Sequence, residues 1–324
     1  MPGKAHSSSL VDELPLMPIN ELREQLAALE AGSFTTLSDE ELQGRIGSIH
    51  TGFTVITPQF EPGTLIYRAV RVVTKPLYKA RISYPPLDLI RVNGRLNRAG
   101  EAMFYGSLGN PSSCLLECHC AEGGTFAVST WKTTKPIILQ HLGYSRQVLD
   151  EVKTKRDLPN SVEHKDDTER NALIRAWQAR VFTRIVPEGQ EHLYRLGIAL
   201  RKNAVGSMLG MPPDRSQCFA GIIYPAVSVW LSGDNVALLP SVVDRSMSLQ
   251  EVMFLTVKSI VESPLEDGGK KTLYHLRATD FARAFRRDGR LVWNGDSTAL
   301  SVSQWQIADS TVPEQELSSS FRAT

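Results

Sequence analysis

The feature that most limits how this chain can fold is a series of short apolar runs, separated by prolines and glycines, that starts at Thr51. Runs such as TLIYRAVRVV, TFAVSTW, KPIILQHLG and QCFAGIIYPAVSVWL are typical of β-strands, whose successive side chains point to opposite faces of a sheet. The charged stretch 144–203 differs, because its apolar residues recur every three or four positions and therefore predict helices. Strands interrupted by helices predict the α/β class, in its α+β form.

The first 50 residues predict a helical N-terminal extension. PINELREQLAALEAG carries one apolar stripe that ends at Gly32, and Ser38 with Glu41 has the spacing of a capping box for a second helix. Two short amphipathic helices must bury their apolar faces on the main domain or on a partner chain. The sequence leaves both arrangements open.

The rest of the chain divides into a main domain, residues 51–260, and a C-terminal extension, residues 261–324. The main domain contains the helical insertion at about 144–205. The extension predicts a strand in TLYHLRA, a basic helix in DFARAFRRDG, a strand in RLVW and a frayed tail in STVPEQELSSSFRAT.

Composition and charge argue against several classes of protein. The chain has 324 residues and a formal net charge of +1. A charge so close to zero, with no long Lys/Arg run, predicts no direct binding to nucleic acid. No run reaches 18 apolar residues, so no membrane span is expected, and MPGKAHSSSLVDELP lacks the apolar segment of a secretory signal. The four cysteines are therefore expected to be reduced, which predicts a cytoplasmic protein.

The segment NPSSCLLECHC predicts a helix with an unusual buried face. Four positions at i, i+3, i+4 and i+7 share that face: Cys114, Glu117, Cys118 and Ala121. Zinc sites usually pair their ligands as two separated C-x₂₋₄-C elements, and only Cys218 is left as a distant partner here. The spacing therefore favours small buried side chains over a metal site, and it places a carboxylate among them.

Three more polar side chains lie in segments that the pattern marks as buried. Arg68 alternates with apolar residues in TLIYRAVRVV, Arg95 lies in the turn NGRLN, and Tyr105 ends the short strand AMFYGS. A buried charge is costly unless it is paired or lines a wet cleft. A buried Arg68–Glu117 salt bridge is the structural alternative to a functional site.

A functional site with these groups would suit one kind of substrate. Guanidinium groups bind phosphates through two parallel hydrogen bonds. A carboxylate beside a sugar stabilises the positive charge that develops when a glycosidic bond breaks. The combination therefore predicts cleavage of a dinucleotide at its N-glycosidic bond, with NAD as the candidate.

The ordered pieces LIYRAVR, NGRLNRAGEAMFYGS, LLE, GIIYPAVSVW and NVALLP resemble the RES domain family over roughly residues 60–260. The resemblance implies mixed sheets like those of ADP-ribosyltransferases. It also implies a growth-inhibitory toxin that consumes NAD by hydrolysis or phosphorolysis, with phosphate as a co-substrate in the second case and no other cofactor. An Xre-like antitoxin is the partner it implies, and a homo-oligomer stays open.

The resemblance assigns roles to individual residues. Glu117, Arg68 and Tyr105 would be catalytic, and Arg95 and Asn97 of the Gly-Arg-x-Asn turn would bind NAD with Arg68 and Tyr105. The family's Tyr-Pro-Ser is Tyr224-Pro225-Ala226 here, so Ser228, two residues further along the strand, is the candidate replacement for the serine. This departure keeps two other functions open: a mono-ADP-ribosyltransferase acting on a protein, and a nucleotide-binding module with weakened catalysis.

Overall fold

In a computed structural model, the chain is an α+β protein built on one mixed sheet. The structure describes residues 15–109, 111–146, 148, 168–184, 186–209, 216–226, 233–264, 270–295 and 304–311. Six α-helices lie in these ranges: α1 Ile19–Glu30, α2 Asp39–His50, α3 Pro111–Leu116, α4 Glu169–Thr183, α5 Arg195–Leu209 and α6 Pro240–Ser246. None of the described helices is both long and apolar enough to cross a membrane.

Eleven described strands form the sheet. They are β1 Gln59–Phe60, β2 Leu65–Arg71, β3 Phe104–Leu108, β4 Thr125–Thr133, β5 Ile137–His141, β6 Phe219–Pro225, β7 Asp234–Leu238, β8 Met247–Pro264, β9 Lys270–Phe285, β10 Leu291–Trp293 and β11 Gln304–Thr311. Their spatial order is β1-β5-β6-β7-β3-β2-β4-β8-β9-β10, with β11 also paired to β9. The β5–β6 pair is parallel and the other described pairs are antiparallel.

The two faces of the central strands belong to different hydrophobic clusters. In β6 and β7, Ile222 and Ala237 pack with the helices α1, α2, α4 and α5. Their neighbours Ile223 and Val236 pack on the opposite face, with Val242 of α6. This alternation is the period of two that the apolar runs predicted. The helical layer therefore covers one face of the sheet at the β6–β7 end.

The two N-terminal helices lie on the main domain. Leu22, Leu26 and Leu29 of α1 and Ile46 of α2 belong to the same buried cluster as Trp177 of α4. The predicted capping box is confirmed, because the Ser38 side chain accepts from the Glu41 backbone N–H and the Glu41 carboxylate accepts from the Ser38 N–H. The sequence left the position of these helices open, and packing against α4 and α5 decides it.

The basic helix predicted in DFARAFRRDG is wrong. Residues 280–285 continue β9, which pairs with β8 on one side and with β10 on the other. Pairing with β8 at 280–282 and with β10 at 282–285 holds the backbone extended, so tertiary pairing overrides the local helical pattern. Ser310 and Thr311, predicted to begin a frayed tail, are instead the last residues of β11 and pair with β9, and the rest of the predicted tail lies outside the described residues.

Candidate functional site

The helix that carries the candidate carboxylate is shorter than its sequence pattern predicts. The helix α3 ends at Leu116, and Glu117 follows as the first residue of a turn, its N–H still bonded to the Ser113 carbonyl at 3.1 Å. His119 then adopts a φ of 50°, in the left-handed region, where the chain leaves the helical path. Ala121 is exposed, so the predicted i+7 member of the buried face is wrong.

Two buried polar side chains connect Glu117 to the sheet. Asn235 of β7 donates from Nδ2 to Glu117 Oε1 at 2.9 Å. Ser107 of β3 donates from Oγ to Asn235 Oδ1 at 3.2 Å. Ser107 is 0% exposed and Asn235 is 5% exposed. The carboxylate is therefore held by a short chain of hydrogen bonds that starts inside the sheet.

The strand register explains why these groups meet. Tyr224 of β6 lies opposite Asn235, Asn235 lies opposite Ser107, and Ser107 lies opposite Tyr67 of β2. Directly opposite residues point to the same face of a sheet, so the four side chains form one row across it. At one end of the row Tyr224 belongs to the cluster under α4 and α5, and at the other end Tyr67 packs with the cluster under α3. The polar middle of the row lies between these two helical covers.

Arg68 lies where β2 and β3 separate. The register between these strands covers two pairs, the second of which is Tyr67↔Ser107, and Arg68 is the next residue of β2. Its guanidinium donates from Nη1 to the Tyr105 carbonyl at 2.6 Å and lies 5.3 Å from the centre of the Phe104 ring. Arg68 Nε is buried, and no described residue accepts a hydrogen bond from it. Burial lowers the pKa of Arg68, while interactions with Cys118, Cys114 and Tyr105 raise it.

The salt bridge considered as an alternative does not form between Arg68 and Glu117. Arg68 donates to a backbone carbonyl, and Glu117 accepts from Asn235. Arg68 and Glu117 are therefore positioned by other contacts.

Tyr105 and Asn97 bind each other. The Tyr105 hydroxyl donates to Asn97 Oδ1 at 2.7 Å and accepts from the Leu96 N–H at 2.9 Å. Asn97 Nδ2 donates to the carbonyls of Arg98 and Glu101, each at 3.0 Å. Burial raises the pKa of Tyr105. Both residues thus brace the Gly-Arg-x-Asn turn, and β3 continues past Tyr105 to Leu108 instead of ending there.

Arg95 is attached to the end of α4. Its Nη1 donates to the Phe182 carbonyl at 2.6 Å and to the Arg184 carbonyl at 3.3 Å. Its guanidinium also lies 5.7 Å from the centre of the Tyr194 ring, and these residues line a shallow pocket. A cation at a helix C-terminus satisfies carbonyls that have no partner within the helix.

Tyr224 interacts with two groups of candidate residues, the first being Arg95 and Tyr105 and the second the carboxylate of Glu117. Burial raises its pKa; the charge of Arg95 lowers it, and interactions with Tyr105 and Glu117 raise it further. Tyr224 therefore interacts with both the turn that contains Arg95 and the carboxylate held by Asn235.

Cys118 and Cys120, close to Glu117 along the chain, are half-buried free thiols. Burial raises the pKa of Cys118 to about 11 and that of Cys120 to about 12. A thiol with so high a pKa is a poor nucleophile at neutral pH. Among the described residues, no group of three or more His, Cys, Asp or Glu side chains could hold a metal ion.

The proposed replacement for the family serine, Ser228, lies outside the described residues. Ala226 is described: its side chain is fully buried, and its N–H donates to the Gly233 carbonyl at 3.0 Å. The position where the family has a hydroxyl is therefore apolar and enclosed here.

The sequence prediction missed Asn235 and Ser107. NVALLP was identified as a strand, but its first residue was given no role, although an amide inside an apolar strand usually needs a buried partner. That signal could have marked Asn235. It could not have named Glu117 as the partner, because 118 residues separate them.

Comparison of the chain with protein-family models, curated proteins and solved structures finds no match.

Proposed function

We propose that this protein is an NAD-consuming enzyme of the RES type, which breaks the N-glycosidic bond between nicotinamide and ribose. The observation that carries the proposal is Glu117, an acceptor-only carboxylate fixed by a buried amide at 2.9 Å between two helical covers of the sheet. A carboxylate whose position is fixed before the reaction stabilises the positive charge that develops on the ribose as nicotinamide leaves.

Arg68 supports the same proposal. Its buried Nε has no acceptor among the described residues, and a buried donor normally has one. An oxygen of the substrate's pyrophosphate is the kind of acceptor that an arginine prefers. In the proposed complex Arg68 keeps its bond to the Tyr105 carbonyl and uses Nε for the ligand.

The proposal includes the context that the resemblance implies. NAD is the substrate, water or inorganic phosphate is the acceptor, an Xre-like antitoxin restrains the activity, and the protein acts in the cytoplasm. The enclosed Ala226 favours one alternative, a nucleotide-binding module with weakened turnover, because this position offers no hydroxyl. Transfer of ADP-ribose to a protein would use the same carboxylate with a different acceptor.

The test is release of nicotinamide from NAD by the purified protein, with and without inorganic phosphate. Glu117→Gln keeps the shape of the side chain but removes its charge, so we expect turnover to fall by roughly 10²-fold or more. Glu24→Gln, a change of the same type on the exposed side of α1, should leave turnover unchanged.

The possible results separate the two modes of NAD cleavage from binding without turnover. Turnover that needs phosphate indicates phosphorolysis, and turnover without phosphate indicates hydrolysis. NAD binding without turnover supports the weakened module. Equal turnover in wild type and Glu117→Gln would remove Glu117 from catalysis and contradict the proposal.

A further inference from the structure

Asn235 is the side chain whose placement says most about how Glu117 is controlled. A carboxylate accepts hydrogen bonds and cannot donate them, so the atom of Asn235 that faces Glu117 must be the amide nitrogen. The amide oxygen then faces Ser107, whose hydroxyl donates to it. Both contacts require the same orientation of the amide, with the nitrogen toward Glu117 and the oxygen toward Ser107.

The backbone makes this arrangement rigid. Asn235 and Ser107 are opposite residues of β7 and β3, and β7 is bonded on its other edge to β6. Glu117, in contrast, lies in a turn just beyond the short helix α3. A group on a central strand thus holds a group on a turn, which is the geometry that fixes a reacting side chain most firmly.

We propose that Asn235, oriented by Ser107, is the positioning residue of Glu117: it holds the carboxylate in one orientation. The positioning role does not depend on the proposed function. Only the statement that the carboxylate faces the ribose of NAD rests on it.

The charged and titratable groups around Glu117 allow its ionisation to be measured separately. Cys118, with a pKa of about 11, and Tyr224, whose pKa is raised, stay protonated near neutral pH. Arg68, which interacts with Cys118, stays charged. The neighbouring carboxylate of Asp234 accepts from the Tyr144 hydroxyl at 2.5 Å, and His119 is exposed. These are the described neighbours against which a change at Glu117 is compared.

The experiment follows the carboxyl carbon of Glu117 by NMR in protein labelled at glutamate, with the resonance identified by its loss in Glu117→Gln. In Asn235→Asp, a second carboxylate replaces the amide donor at nearly the same volume. Two carboxylates at this distance cannot both ionise easily, so we expect the titration midpoint of Glu117 to rise by about one pH unit or more. Asn20→Asp, the same change on the exposed side of α1, should leave that midpoint unchanged.

Ser107→Ala provides a second, milder variant. It leaves the amide present but free to rotate, so we expect a smaller upward shift of the Glu117 midpoint. In the nicotinamide assay we expect kcat to fall several-fold with KM little changed, and the acid limb of the pH profile of Asn235→Asp to move to higher pH. A general loss of packing would not move that limb.

The outcomes are separable. An unchanged Glu117 midpoint in Asn235→Asp overturns the inference, and if that variant does not fold, an unchanged midpoint in Ser107→Ala overturns it. Shifted midpoints in a wild-type protein that releases no nicotinamide would uphold the positioning role and contradict the proposed function.

Discussion

At the scale of single residues, a guanidinium group can stabilise the fold or bind a ligand, and its hydrogen-bond partners distinguish the two roles. Arg95 has the guanidinium that a phosphate would need, but its Nη1 is engaged by the carbonyls of Phe182 and Arg184. Arg68 also bonds a carbonyl, yet it keeps a buried nitrogen that no described residue accepts from. NAD binding therefore stays a prediction for both arginines, and they differ in that Arg68 has a buried donor without a described acceptor.

This difference leads to a prediction for Arg95→Lys. A lysine ammonium cannot reproduce the fork that reaches two carbonyls, so we expect the free energy of unfolding to fall by about 1–3 kcal/mol. Urea unfolding measures this change, and Arg91→Lys, at an exposed position of the same loop, is the matched control. Unchanged stability together with weaker NAD binding in a titration would instead identify Arg95 as a ligand-binding residue.

At the scale of elements, the half-buried His50 connects three helices of the helical layer. His50, the last residue of α2, contacts Asn203 Oδ1 of α5 through Nδ1 at 2.8 Å and Gln178 Nε2 of α4 through Nε2 at 3.0 Å. A neutral ring satisfies both contacts, with Nδ1–H donating to Asn203 and Nε2 accepting from Gln178. Burial lowers the pKa of His50 from 6.5 to about 4, and the Asn203 contact opposes this in part.

The pKa of His50 predicts how stability depends on pH. Between about pH 4 and pH 6.5 the unfolded chain binds a proton at this histidine that the folded chain does not, so stability falls as the pH is lowered through that window. The full loss is about 3 kcal/mol at most. Urea unfolding from pH 7 to pH 4.5 should show this loss in wild type and in His119→Gln, which changes an exposed histidine, but less of it in His50→Gln. The same pH dependence in all three proteins would contradict the prediction.

At the scale of the whole molecule, the N-terminal helices are part of the main hydrophobic core. The apolar residues of α1 and α2 share one buried cluster with α4, α5 and the strands β6 and β7. The same cluster includes Tyr105 and Tyr224, so it reaches the candidate site. The helices α1 and α2 and the predicted main domain are thus expected to unfold together.

Leu26→Ala tests this cooperativity. Leu26 of α1 is 4% exposed, and its truncation leaves a cavity that should lower the free energy of unfolding of the whole chain by about 2–5 kcal/mol. Glu24→Ala, on the exposed side of the same helix, should have little effect. Thermal unfolding followed by far-UV and near-UV circular dichroism should give one coincident transition in each protein. A separate early transition, shifted alone by Leu26→Ala, would show that the N-terminal helices unfold independently.

The sequence by itself determined the elements whose signal is local. The capping box of α2 depends on residues three positions apart, and β4, β6 and β7 are short apolar runs, so both could be predicted without knowing their neighbours. Tertiary structure decided what depends on distant partners. Residues 280–285 are extended because β8 pairs with the first part of this segment and β10 with the second. Glu117 is held by Asn235, which lies beside it in space although far from it along the chain. Hydrogen bonds between residues far apart in the chain depend on strand order and register, and a local pattern of residues does not predict which strands will be neighbours.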